Sequence, residues 1–183
     1  MQIGIFAKTF VRPTRDATLD AVVVRGIRAV QFNLECAGVP SLPEQINPAL
    51  SATIRRALAA RGIHMAAASG TFNMIHPDLR QRQDALAGLR TLIAACADLG
   101  TSVITLSTGT RDPEHMWRTH PDNDTPAAWR DLLAALGDVL PSTEEHRVSL
   151  AFEPEVSNVV DSAAKARCLL GEVIDGTARQ YAA

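Results

Sequence analysis

The sequence predicts an α/β fold in which parallel strands alternate with helices. Three observations predict it. Five short apolar runs recur along the chain, at Gln2–Phe6, Ile27–Asn33, Ile63–Ser69, Ser102–Ser107 and Val148–Glu153. They are apolar at successive positions, the pattern of strands buried on both faces in a parallel sheet. Each is followed by a longer stretch with helical signals, and a strict β-α order implies right-handed crossover connections between parallel strands.

The helical stretches carry recognisable ends. Asn47-Pro48 and Thr125-Pro126 each place a capping side chain before a proline at the first helical position. Asp78 and Asp161 are further candidates for capping or early-helix acids. Between residues 86 and 99, Leu86, Leu89, Leu92, Ile93, Cys96 and Leu99 fall on one stripe. Between 129 and 140, Trp129, Leu132, Leu133, Leu136, Val139 and Leu140 do the same. Gly62 and Gly100 stand where a helix must stop before the next strand.

Two architectures accept this order, the open doubly wound sheet and the closed (β/α)8 barrel. No G-x-G-x-x-G or P-loop follows any strand, so the dinucleotide-binding open sheet lacks its signature. A barrel gathers polar residues at the carboxyl ends of several strands. Such residues follow every run: Lys8 and Thr9, Asn33 and Glu35, Ser69 to His76, Ser107 to Arg111, and Glu153 to Asn158. The expected fold is therefore α/β of the (β/α)8 TIM-barrel type, incomplete, with about five βα units over 1–172 and an irregular tail at 173–183.

Composition sets the outer limits. The chain has 183 residues, 46% hydrophobic and 21% charged, with a formal net charge of -2. That is one domain's worth of chain and an ordinary globular balance. A nucleic-acid partner is not expected, because neutralising many phosphates calls for a basic excess. Cys36, Cys96 and Cys168 form no C-x-x-C pair and read as reduced thiols. No apolar run reaches the roughly 20 residues of a membrane helix. A cytoplasmic protein without signal peptide or membrane contact is the expectation, with homo-oligomerisation left open.

Glu153 is the sharpest candidate. It closes the fifth apolar run, and Pro154 behind it favours an extended backbone. A carboxylate at the rim of a buried strand needs a partner. Two remain open from spacing alone, a divalent cation held by carboxylate oxygens or an Arg or Lys of a neighbouring loop. Asn73 and His76 lie in the loop after the third run, where an imidazole either contacts a ligand or simply shapes the loop. His120 reads as a loop-shaping residue, and His64 lies at the start of its strand, away from the expected functional end. Asn33 ends the second run and either binds a hydroxyl or satisfies backbone.

Three segments together carry a resemblance. They are Ser69-Gly70-Thr71-Phe72-Asn73-Met74 with His76-Pro77-Asp78, Ser107-Thr108-Gly109-Thr110-Arg111-Asp112 with His120-Pro121-Asp122-Asn123, and Phe152-Glu153-Pro154-Glu155. From residue 1 to about residue 172 the chain resembles the sugar phosphate isomerase/epimerase family. That family has the xylose isomerase-like barrel fold and is related in structure to endonuclease IV-type repair enzymes. The resemblance implies a divalent metal (Mn, Mg, Co or Zn) at the barrel mouth, with Glu153 as the fifth-strand ligand and also the catalytic base. It implies a sugar or sugar phosphate substrate, with Asn33, Asn73, His76 and Glu155 as substrate-binding residues. The family's remaining ligands come from strands six to eight, which this chain is expected to lack, so the isolated chain is not expected to retain the metal. The resulting readings are a metal-assisted sugar isomerase or epimerase, a non-catalytic barrel fragment that assembles with a partner chain, and last a repair nuclease of the same fold. Five strands without closure are expected to leave two edges and an apolar interior face uncovered.

Overall fold

A computed structural model describes residues 2–181, of which 175–181 as backbone only. Five strands form one parallel sheet in the order β1-β2-β3-β4-β5, with β1 at Gly4–Phe6, β2 at Ala29–Phe32, β3 at His64–Ser69, β4 at Val103–Leu106 and β5 at Ser149–Phe152. Each lies inside one of the five apolar runs. The helices are α1 at Arg15–Val24, α2 at Pro48–Ala59, α3 at Leu79–Leu99, α4 at Pro126–His146 and α5 at Ala163–Tyr181. The chain is thus five βα units of a TIM-barrel type fold. Where an irregular tail was expected after 172, α5 instead continues to Tyr181.

The helix ends are made as the sequence implies. Asn47 caps α2 by accepting a hydrogen bond from Leu50 N–H at 2.8 Å, with Pro48 following. Thr125 Oγ1 accepts from Ala128 N–H at 3.2 Å ahead of α4. Asp78 Oδ1 accepts from Arg80 N–H at 2.8 Å at the start of α3. Asp161 takes a different role from a cap: its carboxylate pairs with Lys165 at 2.9 Å. The stripe on α3 is buried throughout, Leu89, Leu92, Ile93 and Cys96 completely.

Register shows which residues share a face of the sheet. Gly4, Ala29 and His64 are partners, as are Ile5, Val30 and Met65, and as are Phe6, Gln31 and Ala67. Phe32, Ala68 and Ile104 continue one face, and Ser69 and Thr105 the other. Ser149 N–H donates to Ser102 O at 2.8 Å, which sets Ser149 and Ala151 on the side of Val103 and Thr105. One face therefore carries Val30, Phe32, Met65, Ile104 and Leu106, all buried. The other carries Gly4, Phe6, Ala29, Gln31, His64, Ala67, Ser69, Val103, Thr105, Ser149 and Ala151, of which only Phe6 and Val103 are large and apolar. The expected apolar interior face is thus corrected: it is built mainly of small and polar side chains, and Gln31 Nε2 donates to Thr105 Oγ1 across it at 2.7 Å. Burial on both faces is also corrected for the outermost strands. β5 alternates exposed and half-buried residues, and β1 has no buried residue. Each has only one hydrogen-bonded neighbour, so its side chains have fewer atoms to pack against.

The chain forms two compact units, one of residues Met1–Thr71, Ala87–Leu106 and Ser142–Ala151, the other of Phe72–Leu86, Ser107–Pro141 and Phe152–Ala183. Among the described residues, no helix is long and apolar enough to cross a membrane.

Candidate functional site

The first unit holds Asn33, immediately after β2. Its side chain is buried, and Oδ1 accepts from Glu35 N–H at 2.9 Å and from Ser41 Oγ at 3.0 Å. The amide thereby caps the short helical turn Leu34–Ala37. Ser41 Oγ also lies 2.7 Å from Glu35 Oε1, and Lys8 Nζ pairs with the same carboxylate. Hydrogen bonds from Lys8 and Ser41, opposed by burial, hold the Glu35 carboxyl below the ordinary range.

The second unit contains Asn73, His76, Glu153 and Glu155. Asn73 Oδ1 accepts from Thr110 N–H at 2.9 Å and from Ile75 N–H at 3.3 Å. That ties the loop after β3 to the loop after β4. His76 uses both ring nitrogens on backbone: Nδ1 accepts from Asp78 N–H at 3.1 Å, and Nε2 lies 3.2 Å from Pro113 O. These bonds assign the neutral Nε2–H tautomer.

Glu153 follows β5 directly. The expectation of a carboxylate enclosed at a buried rim is corrected, because Glu153 is exposed. Among the described residues its carboxylate makes no hydrogen bond or ion pair, so neither the arginine nor the lysine partner is found. The cause is the position of β5, which lies at the end of the sheet order with a neighbour on one side only. Glu155 is half-buried and fixed through its backbone: its N–H donates to Val160 O at 3.0 Å, and its carbonyl accepts from Asn158 N–H at 2.8 Å.

The residues that hold these loops were missed in the sequence. Asn158 is buried; Oδ1 accepts from Gly109 N–H at 3.0 Å and Nδ2 donates to Met116 O at 3.2 Å. Val160 N–H donates to Thr108 Oγ1 at 3.1 Å. Asn123 Oδ1 accepts from Arg111 N–H at 2.7 Å, while Nδ2 donates to Ser157 O at 2.9 Å. Asp112 Oδ1 accepts from Glu114 and His115 N–H at 2.9 and 2.7 Å. Burial raises the Asp112 carboxyl, but these two donors and Arg118 outweigh it and leave it lowered. Three loops are therefore bolted together by amides and a hydroxyl, while the Asp112 carboxylate fixes the loop after β4 internally. Asn123 and Asn158 stood inside segments noted for their polarity, yet nothing in the sequence pairs Asn158 with Gly109, 49 residues away.

Mn, Mg, Co or Zn would need several oxygen or nitrogen ligands converging. Among the described residues no three His, Cys, Asp or Glu side chains cluster to hold an ion. Glu153 and its surroundings therefore do not fit a divalent metal site.

A family model described as xylose isomerase-like TIM barrel matches residues 19–176. No curated protein matches this sequence. Among solved structures, the chain is similar to a xylose isomerase-like TIM barrel protein from Mycobacterium smegmatis in complex with magnesium, at 13% identity over 94% of this chain and 60% of that one, with a TM-score of 0.67. It is similar to the apo form of a 3-keto-D-glucoside 4-epimerase from E. coli, at 14% identity over 94% and 64%, with a TM-score of 0.72. A xylose isomerase domain protein from Planctomyces limnophilus matches at 16% identity over 93% and 59%, with a TM-score of 0.62. The chain spans about three fifths of the length of these structures. The matched family region covers most of the sequence, and the chain belongs to the xylose isomerase-like TIM-barrel family.

Proposed function

We propose that this chain provides the fifth-strand carboxylate of a sugar isomerase or epimerase, which moves a proton on the carbon beside a sugar carbonyl. The observation that supports this reading is Glu153, a solvent-facing carboxylate at the carboxyl end of β5 without a partner among the described residues. A positioned carboxylate can remove such a proton and return it, to the other face for epimerisation or to the neighbouring carbon for isomerisation. Glu155, two residues on and fixed through its backbone, is proposed to contact a sugar hydroxyl. Asn73 and His76 are proposed as substrate-binding residues that act mainly by holding the loop, since His76 already uses both ring nitrogens. Asn33 is proposed to offer its amide Nδ2 to a hydroxyl, because Oδ1 is taken up by Glu35 and Ser41. The substrate is a sugar or sugar phosphate; the epimerase among the structural neighbours acts on a 3-keto-glucoside. The residues present do not fit the metal that the family implies, so no step is routed through one.

Proton abstraction beside a carbonyl leaves a direct trace. In D2O, a panel of keto sugars and sugar phosphates loses the proton adjacent to the carbonyl, and 1H NMR follows the loss. The expected result is exchange with the native chain on at least one substrate, reduced by about a hundredfold or more in Glu153→Gln. Equal rates for the two proteins, or no exchange on any substrate, overturns the proposal for this chain. The second reading, a fragment completed by a partner chain, is favoured by one observation: β1 and β5 each have a single strand neighbour.

A further inference from the structure

We propose that the two His-Pro-Asp motifs, His76-Pro77-Asp78 and His120-Pro121-Asp122, are acid-sensitive latches that order the loops of the second unit while their imidazoles are neutral and release them on protonation.

The two motifs repeat one geometry in successive loops. His76 Nδ1 accepts from Asp78 N–H at 3.1 Å, and His120 Nδ1 accepts from Asp122 N–H at 3.2 Å. The same bond recurs without the proline at His115, whose Nδ1 accepts from Trp117 N–H at 3.2 Å. A ring nitrogen that faces an N–H donor has to carry a lone pair. Protonation replaces that lone pair with a second N–H, so donor opposes donor and the ring has to turn away.

Each latch fixes more than its own turn. Behind His76, Asp78 Oδ1 accepts from Arg80 N–H at the head of α3, and the Arg82 guanidinium donates to His76 O at 2.8 Å. Behind His120 runs the helical turn Pro121–Asp124, which carries Asn123, the bridge to Arg111 N–H and Ser157 O. The released ring has a destination within its own motif, since His120 Nδ1 already lies 3.9 Å from Asp122 Oδ2. Charged groups lie near both motifs. Near His76 they are Asp78 with Arg82 and Arg111, which both pair with Asp131. Near His120 they are Arg118, Asp122 and Asp124, the last paired with Lys165 at 2.7 Å.

The test is an NMR titration of the 15N-labelled whole chain from about pH 8 to about pH 5, the range in which imidazoles change charge. It follows the ring nitrogens together with amide protection at Asp78 and Asp122, corrected for intrinsic exchange. The expected result is that protection of each amide falls about fivefold as its own histidine titrates, the loss of roughly one hydrogen bond. His76→Asn and His120→Asn keep an acceptor oxygen for the same N–H in an Asx turn but do not titrate. In each, protection of the corresponding amide stays within about twofold over the range. Rings that titrate while the wild-type amides keep their protection overturn the proposal. So does an equal fall in the Asn variants.

Discussion

At the scale of single residues, the second unit is held by polar side chains that satisfy backbone groups far away in sequence. Asn158 is the clearest case, as it supplies an acceptor to Gly109 and a donor to Met116. Asn158→Ala leaves both groups without their partner, and each unmade bond costs about 1–3 kcal/mol. Urea unfolding is expected to show a loss of about 2–6 kcal/mol for the two groups together, whereas substitution of exposed Val156 should not. Gly109 has φ 80°, and a Cβ there would overlap Asn73 Oδ1 and lie 2.7 Å from Met74 N. Gly109→Ala is expected to destabilise by more than the ~1 kcal/mol of left-handed strain alone, because the obstacle is partly backbone. Asp131 gives a pH signature. Burial raises its carboxyl, but the Arg111 hydrogen bond and the charges of Arg82 and Arg111 prevail and hold it below the ordinary range. A lowered acid contributes stability above its unfolded value of about 3.9, and that contribution disappears as pH falls through the folded value. Asp131→Asn should therefore destabilise at neutral pH, with the difference from wild type vanishing as pH falls through the lowered folded value in acid titrations of stability.

At the scale of elements, the caps and stripes were legible because they depend on residues within one turn of each other. Asn47 and Pro48 specify the start of α2, and Asn47→Ala is expected to cost about 1 kcal/mol in thermal or urea unfolding. The apolar stripe of α3 was equally visible, with its period of three and four. Leu92 is completely buried, and Leu92→Ala should cost about 2–5 kcal/mol, toward the upper end if the cavity does not collapse. Asp161 shows the limit of local reading. Its position before a helix suggested a cap, yet its carboxylate faces Lys165, one turn into α5.

At the scale of the molecule, a parallel sheet of five strands has two ends and a protected middle. β3 has neighbours on both sides, whereas β1 and β5 have one each. Native-state hydrogen exchange should show protection at Met65 and Ala68 at least about tenfold above that at Gly4–Phe6 and Ala151–Phe152, because opening an end strand breaks fewer contacts. Comparable protection along all five strands would mean that the ends are covered in solution. The face with Gln31, Thr105, Ser149 and Ala151 bears on the same question. Apart from Phe6 and Val103 its side chains are small or polar, which lessens the penalty of leaving it in water.

The sequence by itself determined the five βα units, their parallel order, the starts of α2, α3 and α4, and the family. All of these follow from periodicity, capping chemistry and short motifs, which act over a few residues. The tertiary structure alone decided which side chains are engaged and which are free. His76 and Asn73, for which the sequence left ligand contact and loop shaping both open, hold loops through bonds to Pro113 and Thr110. Glu153, read as enclosed, stands exposed because its strand has a neighbour on one side only. A hydrogen bond or a covered face depends on chain that arrives from dozens of residues away, and spacing along a single segment carries no record of it.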